Sequence, residues 1–198
     1  FHYEPHDIEP LFIYAGTYTE LHGADLIIEA FAQLRESHPQ FRLRFIGNGT
    51  GQDEMRARAA ALGVADRVEF RDPVPAADLR PQLSAAVASL ATLHPDGGYD
   101  YAFTSKIFSS LATGCPVVFA GVGPTRAFID DADAPVGSAV GYEVDALAEA
   151  MRTAADDPLP APERRALAEW TAAHHSMRAT AERVCDVLGA AHDRGIRS

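Results

Sequence analysis

Cysteine is scarce in this chain: two among 198 residues, Cys115 and Cys185. They lie far apart and neither forms a C-x-x-C pair, which argues against a disulfide framework and a zinc site. Basic residues are also few. Seventeen Lys and Arg face 28 Asp and Glu, a net charge of −11 with His neutral. Such a balance argues against nonspecific nucleic-acid binding and against docking on an anionic membrane. It leaves room for a local basic pocket. No apolar run approaches the roughly 20 residues of a membrane span. No signal peptide, internal repeat or low-complexity tract is visible. The chain opens at Phe1 rather than Met, so we expect a piece of a longer protein, with the cytoplasm as its default compartment.

What is present alternates between two patterns. Leu11–Ala15, Phe41–Ile46, Val68–Phe70, Val87–Leu93 and Val117–Phe119 are short runs, mostly apolar, as buried strands require. Val136–Val140 suggests a last short strand. Between them, helical spacing marks His22–Glu36, Gln52–Leu62, Ala76–Ala86, Thr125–Asp130 and Val144–Ala155. Pro81 inside the third of these is tolerable only near a first turn or at a kink. Pro158, Pro160 and Pro162 mark a link to an Ala-rich helical tail over Glu163–His192. Its apolar stripe, with Trp170, Val184, Val187 and Leu188, needs a partner surface on this domain or another. Strands alternating with helices predict an α/β fold, a Rossmann-like parallel sheet with helices on both faces. We expect that domain over residues 1–157 and the C-terminal helical tail over 158–198.

Ligands of such sheets bind outside the carboxyl ends of the strands. The loops there span Gly16–Gly23, Gly47–Gly51, Arg71–Pro75, His94–Lys106 and Ala120–Thr125. The last part of the fourth leads into the most informative stretch, Tyr101–Phe119. A helix is expected after Thr104 or Ser105, either of which can N-cap it through its hydroxyl. Ile107, Phe108, Leu111 and Ala112 give that helix an apolar face. Gly114 suits the C′ position and Pro116 ends it. Lys106 breaks the local rule. It falls in the expected first turn, where the helix dipole disfavours a cation by roughly 0.3–1 kcal/mol. Either its long stem carries the charge to water, or an anion sits at the helix start and the Lys helps to hold it.

Read in order, these segments resemble the C-terminal, donor-binding half of retaining glycosyltransferases of the GT-B architecture, the group 1 family. Ala15-Gly16 through His22-Gly23-Ala24-Asp25 resembles the family's G-R-x(n)-K-G-x-D opening. Leu43-Arg44-Phe45-Ile46-Gly47-Asn48-Gly49 is similar to its L-x-I-V-G-x-G strand and turn. Leu62-Gly63 through Arg67-Val68-Glu69-Phe70 is similar to its L-G-x(n)-V-x-F segment. Leu111-Ala112-Thr113-Gly114-Cys115-Pro116-Val117-Val118 is similar to its A-x-G-x-P-V signature. Thr180-Ala181-Glu182-Arg183-Val184 resembles its closing helix, which crosses back to the N-terminal domain.

The resemblance implies a nucleotide-diphosphate-sugar as donor substrate, with no metal and no further cofactor. It implies an acceptor-binding N-terminal domain beyond this chain as partner, and no nucleic acid. The donor diphosphate would lie on Gly16, Thr17, Ser105 and Lys106. Tyr101, Thr104 and Ser109 would face the ribose or sugar. Asn48, Asp72 and Val74 would stand on the base side. Lys106 and the amides after Ser105 fit the charge that builds on a leaving phosphate. Departures from the pattern are equally plain. Thr17 and His22 hold the places of the family's first-loop Arg and Lys. Tyr101 and Ser109 hold the places of its E-x7-E glutamates. Ser109 can bond a ribose hydroxyl or be an inert helix position; Tyr99 and Tyr101 can stack on a ligand or simply pack. Asp96 and Asp100 would repel a phosphate unless they point away or bond sugar hydroxyls, and His174-His175 reads as a polar helix face. Two expectations therefore stand: the donor-binding half of a transferase moving a hexose-type sugar, or a related domain without donor chemistry that serves as a binding or scaffold module.

Overall fold

The computed structural model describes residues 1–18, 23–95 and 98–196, with side chains through residue 188. Six parallel strands form its centre: β1 (Glu9–Ala15), β2 (Arg42–Ile46), β3 (Val68–Arg71), β4 (Ala86–Thr92), β5 (Val117–Ala120) and β6 (Gly137–Val140). Their order is β3-β2-β1-β4-β5-β6. The chain winds outward one way from β1 and then the other way from β4. The carboxyl ends of β1 and β4 thus flank the crevice where such sheets take ligands.

Strand alternation sends side chains to two separate apolar layers. Phe12, Tyr14, Leu43, Phe45, Val118 and Ala120 face α1 (Asp25–Ser37) and α6 (Val144–Asp156), which pack on each other. Leu11, Ile13 and Ile46 face the opposite side, beneath α3 (Ala76–Ala85). Val117 and Phe119 on that side meet α4 (Ile107–Leu111), α5 (Pro124–Asp131) and α7 (Ala161–His175). Both faces are covered, which is why β1 and β5 read as unbroken apolar runs rather than alternating ones. Phe12, Phe31 and Phe45 are fully buried, each stabilising the fold by roughly 1.5–3 kcal/mol. The remaining helix of the sheet layers, α2 (Gln52–Ala61), buries Met55 and Ala59.

Three local expectations are corrected. The tail is two helices, α7 and α8 (Met177–Ile196), not one. Ser176 between them is extended, and its hydroxyl accepts a hydrogen bond from the Ala179 amide at 3.1 Å. That is an N-cap, and it starts a new helix instead of continuing the old one. Trp170 finds its partner surface on this same domain, beside Phe128, with its indole N–H on Asp133 at 2.9 Å. Val184, Val187 and Leu188 on α8 stay exposed. Neither Thr104 nor Ser105 caps α4: Lys106 occupies the N-cap position with no side-chain cap bond. Pro81 lies within α3 itself. Its missing N–H would have met the carbonyl of Ala77, an exposed residue whose carbonyl water can serve.

Arg164 on α7 is the largest fully buried side chain, 1% exposed. Its guanidinium donates to the carbonyls of Leu159, Ser84, Ala86 and Val87 at 2.6–3.1 Å. It clamps α7 onto the start of β4. Nothing in the helical pattern of the tail distinguishes this arginine from its exposed neighbour Arg165.

Candidate donor site

A pocket of about 350 Å³ opens at the carboxyl ends of β1, β2 and β3. Gly16 and Thr17 after β1, Asn48 after β2, Val74 after β3, and Lys106 and Ser109 around α4 all line it. Six of the positions singled out from sequence therefore meet in one cavity. The other four do not line it. Thr104 is buried, and its amide donates to the Thr125 hydroxyl at 2.7 Å, tying the loop to α5. Ser105 and Asp72 are exposed. Tyr101 is 78% exposed, its ring 6.2 Å from that of Tyr99. His22 and Asp96 lie outside the described residues.

Backbone bonds fix the rim. The Gly16 amide donates to the Ile46 carbonyl at 2.9 Å, and the Gly47 amide to Arg71 at 3.0 Å. Tyr18 joins the same two loops, its amide donating to Asn48 and its buried hydroxyl to the Gly47 carbonyl at 2.8 Å. The loops touch so closely that a Cβ on Gly47 would lie 2.0 Å from the Gly16 carbonyl oxygen. Gly47 also has φ +150°, which L side chains rarely adopt. Only glycine fits there.

Lys106 sets the electrostatics. Its ammonium donates to the Tyr14 hydroxyl at 2.6 Å and stands 4.1 Å from the centre of that ring. Among the described residues it forms no ion pair. Burial pulls its pKa from 10.5 down to about 8, and burial also raises that of Tyr14. A half-buried cation without a carboxylate beside a glycine-lined rim is arranged to receive an anion. The helix dipole adds little, because α4 is only five residues long. A second pocket of about 430 Å³ mixes charges: Asp25, Glu29 and Glu54 line it together with Arg58 and His94, and Arg58 is paired with Glu29 at 2.8 Å.

One residue of this corner is not singled out by the sequence. Tyr14 is hidden there inside the apolar run of β1. Lys106 stands out by its position, and more plainly still as the chain's single lysine, beside 16 arginines.

Comparison with known proteins decides the family. The model of the glycosyl transferases group 1 matches residues 3–173. The chain belongs to that family. Among curated relatives, the D-inositol 3-phosphate glycosyltransferase of Acidothermus cellulolyticus is 32% identical over 130 residues, 61% of this chain and 28% of that protein. The enzyme of the same name from Streptomyces avermitilis is 30% identical over 156 residues, 74% of this chain and 32% of that protein. This group 1 chain thus spans about a third of the length of those relatives. Solved structures share its fold. Anabaena HepE in complex with UDP-glucose superposes with a TM-score of 0.73 at 19% identity, covering 92% of this chain and 49% of HepE. A mutant of S. aureus TarM, in a complex that includes UDP, gives 0.77 at 12% identity, covering 94% and 37%. Among the described residues no helix is long and apolar enough to cross a membrane.

Proposed function

We propose that this chain is the donor-binding half of a retaining glycosyltransferase and seats the diphosphate of a nucleotide sugar between Gly16, Thr17 and Lys106. One observation carries the reading: the only lysine of the chain is half-buried in the lining of the strand-end pocket, against Gly16, without a carboxylate partner among the described residues. In transfer, the bond from the anomeric carbon to the donor phosphate breaks, and the phosphate oxygen keeps the electron pair. The ammonium stabilises that developing charge. The acceptor hydroxyl forms the new bond on the same face of the sugar and passes its proton to the departing phosphate oxygen. In this reading Ser109 bonds a ribose hydroxyl, and Val74 and Asn48 serve the base side. The reading includes no metal or further cofactor. It includes an acceptor-binding domain preceding this one, a glycan, lipid or small-molecule acceptor, and a cytoplasmic setting.

The second reading, a related domain that binds or scaffolds without donor chemistry, draws on Tyr101 and Ser109 at the places of the family's two glutamates. Calorimetric titration with UDP- and GDP-sugars separates the two. Donor binding by the wild-type chain that Lys106→Ala abolishes supports the first reading. No binding of either donor supports the second.

A further inference from the structure

We propose that Tyr14 is a positioning residue for the donor diphosphate, its hydroxyl tying the loop after β1 to Lys106 and setting where the ammonium stands. The inference rests on the donor-site reading above and extends it to a residue outside the pocket lining.

The geometry is specific. Tyr14 is fully buried near the end of β1. A phenol has one proton to donate and can accept another group's. Here it donates to the Thr17 carbonyl at 2.8 Å and accepts from the Lys106 ammonium at 2.6 Å. One hydroxyl therefore joins the two parts of the phosphate corner, and Tyr14 itself stands 92 residues before Lys106 in the chain. The ring is held in turn by Phe45 and Tyr18, with centroids at 5.6 and 6.3 Å. Its face lies under the ammonium, where the ring's charge distribution attracts a cation. An ammonium carries three N–H groups, so this contact leaves two for a ligand. Lysine is otherwise a poor positioning device, because its four-carbon stem moves freely. Tyr14 removes that freedom before any donor arrives.

Tyr14→Phe tests this, since it keeps the ring and the core packing and deletes both hydroxyl bonds. The single lysine allows a direct readout in the free protein, the NMR titration of its side chain. We expect that titration to move to lower pH in Tyr14→Phe, because an acceptor for the charged form is gone. We expect UDP affinity to fall about tenfold, the equivalent of one charge-assisted hydrogen bond. A purely structural tyrosine would lower the urea midpoint and leave both the lysine titration and the UDP affinity in place; that result overturns the inference. UDP binding by wild type with unchanged affinity in Tyr14→Phe overturns it while sparing the donor-site reading. Failure of the wild-type chain to bind UDP or GDP overturns the donor-site reading, and Tyr14 then has no diphosphate to position.

Discussion

A Cβ placed on Gly16 would lie 3.2 Å from the Lys106 ammonium nitrogen and 3.3 Å from the carbon that bears it. The bare Cα of Gly16 thus makes the space the lysine occupies. Two loops far apart in sequence build one anion-receiving corner through this contact.

Gly16→Ala is expected to act mainly on binding. The lysine end must shift by a few tenths of an ångström, and φ of +145° adds strain, about 1–3 kcal/mol for an ordinary side chain. Gly47→Ala drives its Cβ into the Gly16 carbonyl, which is backbone and cannot step aside. It should cost more stability than Gly16→Ala. Urea unfolding and UDP titration of the two variants check the order.

Affinity for UDP should depend on pH through Lys106. The ammonium titrates at about 8 in the free protein, and a bound diphosphate would favour the charged form and raise that value. Binding then takes up a proton. Affinity stays level well below pH 8 and falls above it, by up to about tenfold per pH unit. The terminal phosphate of UDP titrates near about 6, outside this window. Calorimetry across pH 7 to 10 reads the slope, which should vanish in Lys106→Met.

Stability runs the other way across the same window. The folded lysine titrates at about 8 and the unfolded one at 10.5. Between those values the unfolded chain binds more protons, so stability rises with pH. Wild type should gain on Lys106→Met as pH climbs from 8 to 10.5, measured by urea midpoints.

Arg164→Met should destabilise the fold by about 3 kcal/mol or more, since buried carbonyls left unpaired cost roughly 1–3 kcal/mol each. Ser84, Ala86 and Val87 would lose their donor together. Removal of residues 177–198, in contrast, should barely move the urea midpoint. Among the described side chains of α8, Ala179 alone is buried; Met177 is 87% exposed, and Val184, Val187 and Leu188 are exposed too. A large loss on truncation would mean that α8 stabilises the domain in a way its burial does not reveal.

Much of the architecture was legible in the sequence, for a physical reason. Strands covered on both faces must be apolar throughout, so Leu11–Ala15 and Val117–Phe119 announced themselves. The break in the tail was not legible, because Ser176 fits a helix face as readily as a cap. Arg164 was invisible for a related reason: its burial depends on carbonyls of β4, some 80 residues earlier. Lys106 stood out because a cation at a helix start is out of place. Tyr14 did not, because a tyrosine in an apolar run reads as core. Tyr101 was placed by motif spacing alone, and spacing along a loop does not say which way the loop faces. The folded chain holds it outside the pocket.

The most direct test uses the lone lysine. In the chain carrying 13C-labelled lysine, the side-chain methylene next to the amine gives one resonance, and it belongs to Lys106. On addition of UDP or GDP that resonance should shift with saturation, and its titration midpoint should rise from about 8. A resonance that stays in place through saturating amounts of both nucleotides, with its midpoint unmoved, would contradict a diphosphate site at Lys106.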